Sequence, residues 1–165
     1  MTRPKIDELL RLLHDGFEGG EFSLLANLSS VTEAEWMALP ANAHRSIREL
    51  TAHIGMFKFI YANQAFRDAT FDYYDPPATP AAERLETPSA AVEWLREGHD
   101  YLVTAVDELA DDAELEVPRK AHWGDLVPTN VLLTIVLQHD LFHGGEINHL
   151  RALLQDDDVW HIPEG

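Results

Sequence analysis

This sequence predicts an all-α protein built as a four-helix bundle, and three observations carry that expectation. Apolar residues recur at steps of three and four through four long stretches. Proline stays out of their interiors and gathers between them, and nothing alternates apolar and polar residues long enough to found a sheet. With 165 residues and 45% hydrophobic content the chain can bury one core, so residues 1–165 are expected to form a single domain.

The first stretch sets Ile6, Leu9, Leu10, Leu13 and Phe17 at helical spacing with Asp7, Glu8 and Arg11 between them, a pattern that Gly16, Gly19 and Gly20 then weaken. A short helical piece from about Glu21 to Leu28 follows. Thr32, with Glu35 three residues on, reads as a new helix start that Pro40 closes. From Ser46 the positions Ile47, Leu50, Ile54, Phe57, Phe59, Ile60 and Tyr61 mark a second long helix, which runs to about Arg67 and carries His53 on its apolar side. The stretch Asp72 to Pro88, with Pro76, Pro77 and Pro80, reads as a crossover loop. Thr87 and Pro88 supply a cap and a first-turn proline for a third helix. Its stripe is Val92, Leu95, His99, Leu102, Val106 and Leu109, and it is expected to end near Ala110. Residues 111–127 are irregular, with Leu115, Glu116 and Val117 as one short extended piece. Pro128, Thr129 and Asn130 then open the last helix, where Leu132, Val136, His139, His143, Glu146, Ile147 and Leu150 share one broad face. The acidic run Asp156 to Asp158 reads as a solvated end.

Composition narrows the function classes. Twelve Lys and Arg stand against 29 Asp and Glu, and a net charge of -17 repels nucleic-acid backbones and anionic lipid surfaces. No cysteine is present, which removes disulfides, thiolate nucleophiles and Cys-type zinc sites and leaves His, Asp and Glu as metal ligands. No signal-like or membrane-spanning apolar run occurs, so a soluble, cytoplasmic protein is expected.

Of nine histidines, His14, His44 and His161 sit near element ends or in the tail and read as surface or capping residues. His53, His99, His139 and His143 fall on apolar stripes, where a polar ring is costly unless its nitrogens find partners. A lone ring such as His99 is best satisfied by a carbonyl or carboxylate. His139 and His143 differ, because a spacing of four places them on one helix face, one turn apart, where a single divalent cation satisfies both. A third imidazole or carboxylate must complete such a set, and His53 is the best candidate. Asp140 points to a neighbouring face of the helix and reads as solvated surface ahead of orienting a ligand ring. Gly144 and Gly145, each costing about 1 kcal/mol against Ala in mid-helix, suggest close approach by another helix or a substrate. Trp36, Trp94 and Trp123 fit core packing, an interface or a pocket lid.

The string His139-Asp140-Leu141-Phe142-His143-Gly144-Gly145-Glu146-Ile147 resembles the last-helix signature of the DinB-like superfamily, His-x-x-x-His-x-Gly-Gln/Glu-Ile. The earlier run Arg45-Ser46-Ile47-Arg48-Glu49-Leu50-Thr51-Ala52-His53-Ile54 is similar to its second-helix motif. The resemblance implies an up-down-down-up four-helix bundle, a divalent metal held by His53, His139 and His143, and a homodimer of such bundles. It further implies metal-assisted transfer, isomerisation or hydrolysis on a small molecule such as a low-molecular-weight thiol. Zinc or nickel comes first as the metal, with iron, manganese and copper behind. Glu146 stands where Gln is frequent, and is assigned a catalytic acid/base role on that departure.

Three other readings compete. His139-Asp140 could be the doublet of an HD-type metal phosphohydrolase, although only Asp156 to Asp158 remain downstream for the further Asp it needs. A zinc protease would need Glu where Asp140 stands. The non-enzymatic reading is a small dimeric bundle that binds metal for stability or holds a partner.

Overall fold

A computed structural model describes residues 2–157. Six α-helices account for most of them: α1 (Pro4–His14), α2 (Leu24–Leu28), α3 (Glu33–Trp36), α4 (Ile47–Phe66), α5 (Pro88–Asp107) and α6 (Thr129–Gln155). Two short strands, β1 (Pro118–Lys120) and β2 (Leu126–Pro128), pair antiparallel with Arg119 opposite Val127. The protein is thus mostly helical, as the periodicity predicts. His161 and Asp158 lie outside the described residues.

Local chemistry explains where the helices start. Ser46 caps α4 in a reciprocal box: Glu49 N–H donates to Ser46 Oγ at 3.2 Å while Ser46 N–H donates to Glu49 Oε2 at 2.8 Å. Thr32 N–H likewise donates to Glu35 Oε2 at 2.8 Å at the start of α3. Thr87 Oγ accepts from Ala90 N–H ahead of Pro88 in the first turn of α5. The glycines after α1 leave a wider π-helical turn at Asp15–Gly19 instead of a break.

Two features depart from expectation. The extended piece is not at Leu115 to Val117: Asp112–Glu116 is a 3-10 turn that buries Leu115, and the strands begin at Pro118. Asp111 sets that turn by accepting from Ala113 N–H at 2.9 Å, so a local side-chain bond overrides the strand propensity of the apolar residues. The third helix ends at Asp107, and Leu109 stays buried because the chain turns back, with Leu109 N–H bonded to Val106 O.

The interior is arranged as two apolar clusters that meet at Tyr101. One gathers Phe17, Trp36, Leu50, Ile54, Phe59, Trp94 and Ile147; the other gathers Ile6, Leu13, Leu102, Val106, Leu132 and Val136. Trp36 and Trp94 are core residues whose indole N–H groups donate to Leu85 O at 2.8 Å and Pro77 O at 3.2 Å, which pins the long loop against α3 and α5. Trp123 is exposed beside the hairpin turn.

Glycine marks the closest packing, but not where the last helix has its pair. A Cβ on Gly55 of α4 would lie 2.2 Å from the Trp94 ring, and one on Gly98 of α5 would lie 3.0 Å from Phe59. These two positions let α4 and α5 approach. At Gly144 an added Cβ would meet only Leu24, at an ordinary 3.9 Å, and at Gly145 it would meet nothing, so no helix presses on that pair.

Candidate metal centre

The capping box of α4 places His53 on its second turn. The hairpin base fixes the start of α6, where Thr129 Oγ1 donates to Val117 O at 2.8 Å and accepts from Arg119 Nε at 2.9 Å. About three and four turns further on, His139 and His143 project toward α4. The three rings meet: one ligand-type nitrogen from each lies within 4.8 Å of the others. Ring centroids are 5.0 Å apart for His53 and His139, 4.7 Å for His53 and His143, and 4.5 Å for His139 and His143.

The donor atoms suit a metal ion. His53 Nε2 and His139 Nε2 are 3.1 Å apart, close to the roughly 3.3 Å expected for two nitrogens each about 2.05 Å from one tetrahedral ion. His143 Nδ1 is 2.6 Å from Glu146 Oε2, which leaves Nε2 as its free nitrogen. Burial, joined by the neighbouring rings His139 and His143 and by Arg45, pushes His53 down to about 4. Burial also lowers His143, although its bond to Glu146 opposes the shift. Rings kept neutral in this way offer lone pairs, which is what ligation requires.

A buried charge network lies behind α6. Asp140 is 2% exposed and accepts from Lys58 Nζ at 2.5 Å; the lysine side chain has no exposed surface. Burial alone would raise the Asp140 carboxyl, but the Lys58 ammonium and the His139 ring hold it below its ordinary value. Asp140 Oδ1 is 4.0 Å from His139 Nδ1, on the opposite edge of that ring from the nitrogen facing His53. The expectation of a solvated Asp140 is therefore corrected: the adjacent face of α6 packs on α4 at Lys58. His99 is a core histidine as expected, but its partners are not carbonyl or carboxylate. It stacks on Phe17 at 3.9 Å, and its Nδ1 is 3.3 Å from Lys58 Nζ. Burial, with the lysine charge, pushes it down to about 3.

The phosphohydrolase reading loses its ground, because Asp140 is engaged by Lys58 and no carboxylate joins the histidine cluster among the described residues.

The sequence model of the DinB superfamily matches residues 19–147. This chain belongs to the DinB superfamily. A comparison with curated proteins finds no match. The span matched to the DinB superfamily takes in all three rings and Glu146 and ends at Ile147.

Several neighbours of the triad were not singled out from the sequence. Phe57, one turn beyond His53, has its ring 4.6 Å from His53 and 5.1 Å from His139. His122, from the hairpin turn, packs 4.9 Å from Phe57 and 5.0 Å from Tyr61, with its Nδ1 2.7 Å from the Tyr73 hydroxyl. Burial, then the His139 ring, lowers His122, and burial raises Tyr61 to about 12. No periodic stripe surrounds His122, so nothing local announced it. Lys58 did carry a signal: a lone charge within Met56-Phe57-Lys58-Phe59-Ile60-Tyr61 must be paired if that run is buried.

Proposed function

We propose that this chain is a metal-dependent enzyme acting on a small molecule, foremost a low-molecular-weight thiol in a transfer or isomerisation reaction, with hydrolysis as the variant on the same site. The observation that carries the reading is the convergence of three imidazole nitrogens from α4 and α6 with no carboxylate among them. The long helices α1, α4, α5 and α6 form the up-down-down-up bundle of the superfamily in this reading. A divalent ion bound there, zinc or nickel first, supplies a Lewis acid that lowers the pKa of a thiol or water.

The chain's own residues have separable roles. His53, His139 and His143 would hold the ion through one ring nitrogen each. Glu146 orients His143 and, being partly exposed, holds or releases a proton beside it. Asp140, fixed by Lys58, flanks the far edge of His139. Phe57, Tyr61 and the His122–Tyr73 pair wall the site on the hairpin side and keep water out. The thiol must come from the small molecule, since the chain has no cysteine. Leu141 and Phe142, exposed next to the site on α6, provide the apolar face for a homodimer.

Metal content measured on tag-free protein tests the reading. We expect a divalent ion in the purified protein and loss of most of it in His139→Ala, with far-UV circular dichroism unchanged. Equal occupancy in that variant contradicts the assignment. Chelation is expected to leave the helix content intact, as befits a three-ligand site on a fold held by its own core.

A further inference from the structure

A pocket of about 320 Å³ opens beside the triad, between the start of α4 and the last turns of α6. Leu50 and Leu150 form part of its apolar wall, and His44, Arg45, Glu146 and His149 carry its polar groups. Glu146 joins the pocket to the metal centre, because its carboxylate is the partner of His143 Nδ1. The polar wall therefore has one carboxylate, already engaged, against one guanidinium and two imidazoles.

Arg45 is unusual among the arginines. Arg3, Arg11, Arg67, Arg84, Arg96 and Arg119 each pair with a carboxylate, Arg48 donates to Leu85 O, and Arg151 donates to Asn148 and Gln155. Arg45 makes no hydrogen bond or ion pair among the described residues, in a chain with 29 acidic residues. The carboxylate of Glu49, close enough to feel its charge, is taken up by Ser46. A free guanidinium at the mouth of an apolar pocket is the group that recognises a planar anion by a two-pronged bond.

We propose that this pocket binds a carboxylate-bearing small molecule, with Arg45 as the residue that reads the carboxylate while the molecule's reacting end lies at the triad. The inference rests on the metal-and-thiol reading above and adds the charge and length of the ligand. Against a net charge of -17 an anion is repelled at long range, so a ligand of this class needs a dedicated local cation. Length follows from the register. Arg45 stands just ahead of the Ser46 cap, the rise along α4 from Ile47 to His53 is about 9 Å of axis, and the arginine stem spans part of that distance. The carboxylate and the reacting atom must then be several bonds apart, which suits a peptide-sized thiol better than a two-carbon one.

Glutathione and its diethyl ester, titrated into cobalt-loaded protein, test this. The ester has the same thiol and nearly the same body without the carboxylate charges, and the visible cobalt spectrum reports thiol arrival independently of turnover. The wild type should bind the acid about tenfold more tightly than the ester, the discrimination expected of a hydrogen-bonded charge. Arg45→Ala should lose most of that preference while its affinity for the ester is unchanged, and Arg45→Lys should keep part of it. Because Arg45 is exposed and bonded to nothing, its removal leaves the fold alone. Equal binding of acid and ester by the wild type, or a preference that survives Arg45→Ala, overturns the carboxylate assignment while leaving the metal reading standing. Failure to take up cobalt overturns the metal reading, and a cobalt spectrum indifferent to both thiols overturns the thiol reading; this inference falls with either.

Discussion

Lys58 places an ammonium where no part of its side chain is exposed, and the desolvation of such a group costs several kcal/mol unless it is paired. Asp140 supplies the pairing, and the His99 ring fills the remaining side. The arrangement makes His99 a reporter of the fold. Its ordinary value is 6.5 and the folded one about 3, so below about pH 6.5 the unfolded chain takes up a proton that the folded chain refuses. Stability must therefore fall as pH falls, by about 2 kcal/mol from this ring between about pH 6.5 and pH 5. His99→Phe retains a ring to stack on Phe17 and deletes that contribution, so urea titrations across the same range should show a shallower decline than in the wild type. Parallel curves for the two proteins would refute the account.

Among the helices, the four glycines of α4, α5 and α6 act differently according to what faces them. Gly55→Ala should destabilise the protein by about 1–3 kcal/mol, because its Cβ would enter the buried Trp94 ring and neither α4 nor α5 can withdraw cheaply. Gly145→Ala meets open space and should stabilise α6 by up to about 1 kcal/mol through helix propensity alone. Thermal melts of the two variants separate these opposite signs. Helix spans and the caps at Thr32 and Thr87 were readable in the sequence because these residues and Pro88 act within one turn of themselves. The hairpin was not, since its strands are three residues each and the turn before it is set by Asp111. Gly55 was equally illegible as a contact point: its need is created by Trp94, on another helix.

On the scale of the whole molecule, charge works against compactness. Exposed ion pairs such as Arg67 with Glu108 and Arg84 with Glu97 contribute little each, while a net charge of -17 repels itself across the surface. Raising sodium chloride from about 0.02 M to about 0.3 M should therefore raise the melting temperature, because screening removes more repulsion than attraction; a fall would mean the surface pairs dominate. No helix among the described residues is long and apolar enough to cross a membrane. From the sequence alone came the helical class, the likeness to the DinB superfamily, and the pairing of His139 with His143, all written in spacings of a few residues. The sequence nominated His53, 86 positions before His139, as the third ring, and tertiary structure alone decided that the three rings meet, that Asp140 turns inward to Lys58, and that His122 reaches the site from a hairpin. Such contacts depend on which helix faces meet, and a local period records only that a face is apolar, not what it will pack against.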